Sequence, residues 1–315
     1  MGARLPAPAI SSVGIKIHDH YREHAGDWRR DHLGCSVLGH ECDRWLWLSF
    51  RWAAAEPQDG RMLRLFTRGE REESWILDDL KAIGVDVVAT QERMRWGHIG
   101  GSCDAIVVGV PDDPATKHVA EFKTFSKKNF DRLVAAGTRR EKWTHYVQMQ
   151  LYMLGLKLDR ALYVAVCKDD DRIHTELVDF DAKVAGEALA RGERIIRAEV
   201  PPARLDADAP PCVLTSREGE RYPCRFFDLC HGTALPEASC RTCVSSTPRP
   251  DGTWHCEYWD NDLDGYRQRK GCASWLPIPQ IGTHQVAEID EGKRRMTLVD
   301  AEGRQTTFGK EVSRG

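Results

Sequence analysis

The amino-acid sequence predicts an α/β fold that is followed by a small, cysteine-rich C-terminal module. Its 315 residues exceed what a single core usually holds, because most domains stop growing near roughly 250 to 300 residues. Hydrophobic periodicity before residue 200 predicts the order helix, three strands, helix, strand, helix. The composition changes at a Pro/Ala/Asp segment, residues 200–211, which predicts a linker, and seven of the eleven cysteines follow it.

The core is predicted to begin with two helices, at residues 36–55, which are rich in aromatic side chains, and at residues 70–83. Three short β-rich runs follow in succession, which predicts a meander, and they lie at residues 85–90, 105–110 and 118–124. The remaining core elements are a helix at 141–156, the apolar strand ALYVAVC and a helix at 184–197. Residues 281–315 alternate around Gly-containing turns and predict a small β-hairpin or meander.

The composition is typical of a globular protein outside the membrane. It is 41% hydrophobic and 30% charged, and no apolar run is long enough to span a bilayer. The N-terminal sequence MGARLPAPAISSVG lacks the apolar stretch of a secretory signal. We therefore expect a reducing cytoplasm, or the host cytoplasm if a phage encodes the chain, where structural disulfides are rare.

Any affinity for nucleic acid is expected to come from a local basic surface, because the net charge is only −3. A basic stretch lies between residues 123 and 142, and its members are Lys127, Lys128, Arg132, Arg139 and Arg140. Alone, such a run is more often a solvated face. Its position beside the motif described next favours contact with DNA phosphates.

Two acids and a lysine form the candidate catalytic site. Alternate residues of a strand share a face, so Glu121 and Lys123 are predicted to lie side by side, with Asp104 at the start of the preceding strand. Carboxylates on adjacent strands are the oxygen ligands that Mg²⁺ prefers, and a nearby lysine could orient an attacking water. Taken alone, Glu121 and Lys123 fit an ordinary ion pair on an exposed strand equally well.

Two helices carry further candidate residues. Gln148 and Tyr152 are four residues apart and share a helix face, where a buried amide and phenol need polar partners. Glu73 shares a face with Leu77 and Leu80, which would draw it toward the core, although a glutamate on a helix surface is more common. Glu73 could therefore be a third carboxylate ligand.

These motifs stand in one order along the chain: Glu73, Asp104, EFK at residues 121–123 and QMQLY at residues 148–152. The set resembles the RecB-like branch of the PD-(D/E)XK nucleases, which also includes the CRISPR-associated adaptation nucleases. The chain looks most like the exonuclease-type members of phages and prophages, over roughly residues 34–235. The resemblance implies a restriction-endonuclease-like core, with a mixed central sheet flanked by helices.

The resemblance also implies the roles of the site residues. Glu73, Asp104 and Glu121 would bind Mg²⁺ or Mn²⁺, together with the main chain beside Glu121. Lys123 would serve the attacking water. Gln148 and Tyr152 would serve the helix motif of the branch.

Thiolates at close spacing in a reducing compartment usually indicate a metal or an iron–sulfur cluster. Cys42, Cys224 and Cys230 resemble the iron–sulfur staple of the same branch, in which one N-terminal and three C-terminal cysteines hold a [4Fe-4S] cluster. The sequence departs from that pattern because Arg221, not a cysteine, stands three residues before Cys224. We predict Cys212 as the fourth ligand, with Cys35 in reserve and a buried free thiol as the alternative for both.

A second group of cysteines begins with the C-x2-C pair Cys240 and Cys243. With Cys256 and Cys272 it predicts a structural Zn²⁺ site of four thiolates, in which His255 or His231 could replace one sulfur. Such a module would contact DNA or dock a partner. Cys103 and Cys167 lie on predicted strands, where small buried hydrophobic residues are the simpler interpretation.

Together the motifs predict five segments: an N-terminal extension 1–33, a nuclease core 34–200, an iron–sulfur segment 201–235, a zinc-ribbon-like module 236–280 and a β tail 281–315. The leading hypothesis is a Mg²⁺-dependent DNA exonuclease acting in phage recombination or processing, with a possible recombinase or helicase partner. A structure-selective endonuclease and a catalytically silent DNA-binding or scaffold protein with structural metals are the alternatives. No C-x-x-C pair opens a helix after a strand, which argues against a redox protein.

Overall fold

The computed structural model describes residues 12–55, 59–215 and 221–309. The first eleven residues of the predicted N-terminal extension and the last six of the predicted tail lie outside these ranges. None of the described helices is long and apolar enough to cross a membrane.

The elements in chain order are α1 (Ser12–Glu23), β1 (Leu33–Gly34), α2 (Asp43–Phe50), α3 (Gly60–Ala82), β2 (Asp86–Thr90), β3 (Arg93–Trp96), β4 (Ile99–Ser102), β5 (Ala105–Val108), β6 (His118–Phe125), α4 (Lys127–Ala136), α5 (Thr138–Glu141), α6 (Trp143–Leu156), β7 (Arg160–Cys167), β8 (Ile173–Asp179) and α7 (Ala182–Arg197). The C-terminal part continues with β9 (Val213–Thr215), β10 (Arg221–Pro223), α8 (Phe227–His231), β11 (Ser246–Pro248), β12 (Trp254–Cys256), β13 (Asn261–Asp262), α9 (Gly265–Lys270), β14 (Gln285–Asp290), β15 (Arg295–Val299) and β16 (Gln305–Phe308).

A five-stranded mixed sheet forms the centre of the fold, in the order β2-β5-β6-β7-β8. Only the β6–β7 pair is parallel. The predicted meander is present as β2, β5 and β6, which are antiparallel neighbours in that order. The predicted α/β class with a mixed central sheet is therefore confirmed.

The two faces of the sheet are covered by different helices, as the period of two in a strand requires. On β6, Val119 and Phe125 pack into the cluster that contains residues of α4 and α6. Ala120 and Phe122 pack on the opposite face with Ile76 of α3. The alternation that the sequence predicted for β6 is therefore confirmed, and it places Glu121 on the face covered by α4 and α6.

The predicted helix at residues 36–55 is broken, and only α2 is regular helix. A 3₁₀ turn at Cys35–Val37 precedes it, and Cys42 caps α2 by accepting a hydrogen bond from the Trp45 N–H. In the segment between them the chain packs closely on α6, because a Cβ atom on Gly39 would lie 2.6 Å from the Thr144 Cα.

Several other elements differ from the predictions. Helix α3 begins at Gly60 rather than near residue 70, and α4, the β3–β4 hairpin and β8 were not predicted. β3 and β4 are each only four residues long, which is too short for the pattern to establish a strand without its partner, although Arg93 and Arg95 do alternate with Met94. Residues 200–211, the predicted linker, contain no described helix or strand, and β14, β15 and β16 form an antiparallel meander, one of the two predicted arrangements.

The cysteine-rich module packs directly on the core. The Trp254 ring lies 5.2 Å from the Phe50 ring, and the Arg241 guanidinium stacks 3.7 Å from the centre of the Trp52 ring. Arg241 is fully buried and donates hydrogen bonds to the carbonyls of Phe50 and Asp31, both at 2.9 Å. Arg51, which is also buried, donates to the Arg241 carbonyl at 3.0 Å, so aromatic contacts and two buried cations join the module to the end of α2.

We predict that Gly39→Ala lowers the free energy of unfolding by about 1–3 kcal/mol, because the new methyl group would press against the backbone of α6. The matched control is Gly69→Ala in α3, where nothing lies within 4 Å of a Cβ atom. That change should stabilise the protein by about 0.5–1 kcal/mol, since alanine is the better helix former. Equal effects of the two variants in urea unfolding would contradict the close approach.

Candidate active site

The central strand β6 carries two ionisable side chains of the candidate site. Glu121 is fully buried, and its carboxylate forms an ion pair with the Lys123 ammonium two residues along the same face. Lys123 Nζ also donates to the carbonyl of Phe122 at 3.2 Å. Asp104, just before β5, accepts a hydrogen bond from the Phe122 N–H at 2.8 Å through Oδ2. This bond holds the second acid against β6, beside Glu121.

One cavity of about 930 Å³ is lined by five of the six predicted catalytic residues. They are Asp104, Glu121, Lys123, Gln148 and Tyr152, whereas Glu73 is not among the residues that line it. On α6, Gln148 Nε2 donates to the Tyr152 hydroxyl at 2.9 Å, so the predicted neighbours on one helix face are in contact. The phenol oxygen accepts this bond, which leaves its proton for an acceptor in the cavity.

Burial and mutual repulsion raise the pKa values of the acids. The pKa of Glu121 rises to about 7 because the carboxylate is buried, with Lys123 opposing the shift and Asp104 and Glu73 adding to it. The pKa of Glu73 also rises to about 7, through burial and then the charge of Asp104. Burial raises the pKa of Asp104 as well, although Lys123 opposes it. Glu73 on α3 therefore lies within electrostatic reach of both other acids.

The charge of Lys123 is maintained by the same acids. Its burial favours the neutral amine, but the charges of Glu121 and Asp104 outweigh that cost and raise the pKa of the ammonium. The site therefore combines a permanent cation with carboxylates that lose their protons near neutral pH.

The donor set fits a divalent cation. Glu121 Oε2 is buried and has no hydrogen-bond partner among the described residues, an arrangement that costs free energy unless another group satisfies the oxygen. Asp104 and Glu121 supply oxygen ligands of the kind that Mg²⁺ and Mn²⁺ prefer, and Glu73 could add a third. As the side chains stand, no group of three or more His, Cys, Asp or Glu in the described ranges forms a ready metal site.

The basic residues predicted to contact DNA lie elsewhere. Lys127, Lys128 and Arg132 line a separate surface pocket with Asp131 and Asp169. Three residues of the predicted set are paired with acids, and these pairs are Lys127 with Asp170 at 3.1 Å, Arg132 with Glu141 at 3.0 Å and Arg139 with Asp181 at 3.3 Å. Pairing of this kind neutralises much of the charge that a phosphate would meet.

Arginines outside the predicted basic set line the cavity that contains the acids. They come from the segment before β1, from β3 and from the C-terminal module, and they are Arg29, Arg30, Arg93, Arg95, Arg241 and Arg269. The side chains of Arg30 and Arg93 make no hydrogen bond or ion pair with any described residue. The alternation R-M-R in β3, which puts Arg93 and Arg95 on one face, was the available signal.

The structure brings the first cysteine set into one pocket, lined by Cys42, Cys212, Cys224 and Cys230. The Cys224 N–H donates to the Cys212 carbonyl at 2.7 Å, so these two residues are neighbours across the β9–β10 hairpin. Cys35, the reserve ligand, lines the catalytic cavity instead. Cys103 and Cys167 are fully buried, as expected for small hydrophobic residues.

Three sulfurs of this pocket accept hydrogen bonds. The donors are the Trp45 N–H to Cys42 at 3.3 Å, the Phe226 N–H to Cys224 at 3.5 Å and Arg44 Nε to Cys230 at 3.3 Å. Hydrogen bonds to sulfur are among the features that tune iron–sulfur clusters.

The second cysteine set lies in the C-terminal module. Cys240 and Cys243 border the 3₁₀ turn Cys240–Thr242, Cys256 ends β12 and Cys272 follows α9. His231 lies in the pocket of the first set. The two sets are thus separate in the structure, as they are in the sequence.

No family model and no curated protein matches the chain. Its structure is similar to that of an alkaline exonuclease from Laribacter hongkongensis, with a TM-score of 0.38 and 14% identity over 56% of this chain and 90% of that one. The complex of that exonuclease with dAMP gives a TM-score of 0.38 and 15% identity over 53% and 87%. A phage-related exonuclease from Haemophilus somnus 129PT gives 0.39 and 17% identity over 52% and 91%.

In the metal-free protein, we predict that Glu121 and Glu73 contribute a decrease in the free energy of unfolding as the pH rises from about 4.5 to about 7. Over this range folded Glu121 and Glu73 keep protons that the unfolded chain releases, so a rising pH favours unfolding. The difference between wild type and Glu121→Gln isolates the contribution of Glu121 from that of buried histidines such as His98 and His145, whose lowered pKa values act in the opposite direction. Mg²⁺ binds the deprotonated acids, so its stabilising effect should be larger at pH 8 than at pH 6.

The measurement is thermal unfolding in EDTA and in Mg²⁺ at both pH values, with Glu121→Gln as the control that removes one titrating acid and one ligand. An Mg²⁺-induced rise in Tm that is equal at both pH values, or that persists in Glu121→Gln, would count against this metal site.

Proposed function

We propose that this protein is a metal-dependent nuclease that hydrolyses DNA phosphodiesters at the cavity lined by Asp104, Glu121 and Lys123. The observation that carries the proposal is the fully buried Glu121, with one oxygen unpartnered among the described residues, in a cavity that also exposes a lysine and several arginines. Burying a carboxylate at such a position costs free energy, so a purely structural role does not account for it.

The acids have the chemistry to hold Mg²⁺ or Mn²⁺, with Asp104 and Glu121 as ligands and Glu73 as a third. When bound, such an ion polarises the phosphate and lowers the pKa of a coordinated water. The Phe122 N–H keeps the Asp104 carboxylate in place, and the strand keeps Glu121 beside it.

Lys123 is proposed to orient the attacking water and to offset negative charge that develops on the phosphate. Its raised pKa keeps the ammonium charged at neutral pH. The Tyr152 hydroxyl accepts a hydrogen bond from Gln148 and can itself donate a hydrogen bond to a phosphate oxygen or to a water in the cavity. The unpaired guanidinium groups of Arg30 and Arg93 are suited to the DNA backbone.

Within this class we propose an exonuclease of the RecB-like branch that acts in phage DNA processing. The support is the order of the motifs around Glu73, Asp104, Glu121 and Gln148, together with a single cavity that holds most of them. A recombinase or helicase partner is part of the same proposal.

We also propose that Cys42, Cys212, Cys224 and Cys230 hold the [4Fe-4S] cluster. Four sulfurs around one pocket are the usual donor set, and hydrogen bonds to three of them suit a reduced, negatively charged cluster. Cys42 caps α2, whereas the other three lie after residue 200, so the cluster would join the two ends of the core.

We predict that Asp104→Ala and Lys123→Ala each lower Mg²⁺-dependent degradation of linear DNA by about 10²-fold or more, because each removes a group that acts on the reacting phosphate. The matched control is Lys128→Ala on the separate basic surface, which should retain activity. Circular dichroism checks that the variants fold.

The substrates separate the alternatives. An exonuclease degrades linear DNA and leaves closed circles intact, whereas an endonuclease opens the circles. Wild-type activity in folded Asp104→Ala, or no digestion of linear, circular or single-stranded DNA by wild type with Mg²⁺ or Mn²⁺, would refute the proposed site.

For the cluster, we predict that protein purified without oxygen is brown and contains iron, and that Cys230→Ser loses both properties. Cys167→Ala, which removes a buried thiol at the end of β7, should keep them. A colourless, iron-free wild type would rule the cluster out.

A further inference from the structure

Backbone contacts bring the four cysteines of the C-terminal module together. The Cys243 N–H donates to the Cys240 carbonyl at 3.1 Å, which closes the turn between the first two. Cys256 is paired with Ser246 across β11 and β12, and the Ser246 N–H donates to the Cys243 carbonyl at 3.2 Å. The third cysteine is therefore tied to the first pair by the β ladder.

The fourth cysteine reaches the same place from α9. Gly271 packs against Ser239, because a Cβ atom on Gly271 would lie 3.6 Å from the Ser239 Cα. Cys272 and Cys240 are the residues that follow these two, so the contact brings them close together. The Cys240 Sγ donates to the Arg267 carbonyl of α9 at 3.3 Å.

The alternative histidine ligands are occupied or distant. His255 Nδ1 lies 3.0 Å from Asp262 and its Nε2 lies 3.4 Å from Asp260. Neighbouring residues of a strand face opposite sides, so His255 points away from the side that Cys256 occupies. His231 lies in the pocket of the other cysteine set. The local donor set is therefore four sulfurs.

We propose that Cys240, Cys243, Cys256 and Cys272 bind one Zn²⁺ in a structural site, and that this site holds one wall of the catalytic cavity in place. Four thiolates form a closed tetrahedral set without an open position for substrate, which is the character of structural zinc. In the described ranges the side chains do not form a metal group as they stand, so ligation requires the thiols to reorient.

Arg241 connects this site to the catalytic cavity. It stands between Cys240 and Cys243, and its buried guanidinium donates to the carbonyls of Phe50 and Asp31 and to Gln268 of α9, each at 2.9 Å. Arg241, Gln268 and the neighbouring Arg269 all line the cavity. The hydrogen bonds of the buried Arg241 guanidinium depend on the position of its own backbone. A metal bound by the cysteines on either side would fix that backbone and so stabilise this wall of the cavity.

The proposal goes beyond phosphodiester hydrolysis, because it concerns a different metal and different ligands. The test is metal analysis of the full-length protein by mass spectrometry, on wild type, Cys272→Ala and Cys256→Ala. Wild type should carry one zinc per chain, and both variants should lose it. Cys272 is exposed, so its replacement leaves the packing intact, whereas Cys256 is buried and provides the second test.

Cys167→Ala is the matched control, because it removes a buried thiol outside the module and should keep its zinc. Hydrogen exchange tests whether the zinc stabilises the cavity wall. If the metal bound without stabilising the wall, its loss would leave the exchange rates unchanged. Zinc loss in Cys272→Ala should speed exchange in α9 and in residues 29–36, and Cys167→Ala should not.

Wild type that takes up no zinc, even when zinc is supplied during expression, would overturn the proposal. So would undiminished zinc in Cys272→Ala and Cys256→Ala, or iron in place of zinc at these cysteines. Exchange that is unchanged after zinc loss would overturn the role in the cavity wall. These results are distinguishable from a failure of the proposed nuclease, which would appear in the Mg²⁺ and digestion measurements with zinc content unchanged.

Discussion

A buried carboxylate on the central strand is the constraint on which the rest of the site depends. Glu121 has no exposed surface, and an isolated charge at such a position would be neutralised or would unfold the strand. Lys123 on the same face supplies a positive charge beside Glu121. The Asp104 carboxylate, which accepts a hydrogen bond from the Phe122 N–H, supplies a second negative charge. The cavity, helix α6 and Glu73 of α3 are arranged around this group.

The second constraint is charge distribution. A net charge of −3 offers DNA no general attraction, yet guanidinium groups from three distant segments line one cavity with the acids. Some are neutralised by local acids, as Arg95 is by Asp31 at 3.0 Å. Others are not paired with described residues, and Arg93 is one of them. The cavity thus combines acids that are suited to a cation with guanidinium groups that are suited to phosphates.

The two cysteine sets lie where remote parts of the chain meet. In the first, Cys42 at the start of α2 lies beside cysteines that follow residue 200, and Arg44 donates to the carbonyls of Pro202 and Ile281. In the second, Arg241 lies between Cys240 and Cys243 and donates to the carbonyls of Phe50 and Asp31. In both places a buried arginine beside a group of cysteines bonds to backbone carbonyls of remote segments and so connects regions that are far apart in the chain.

The sequence alone determined the strand alternation of β6, the class of the fold and the residue types of each candidate site, because period and spacing are local properties. It could not reveal that Gly39 approaches α6 or that Lys127 and Arg132 of α4 are paired with acids. Tertiary structure placed Cys212, the predicted fourth ligand, in the first cysteine pocket and Cys35, the reserve, outside it, and it alone decided that Arg30, Arg93 and Arg241 line the cavity that contains the acids. These placements depend on contacts between segments far apart in the chain, such as Arg241 with Asp31, and no local pattern encodes such contacts.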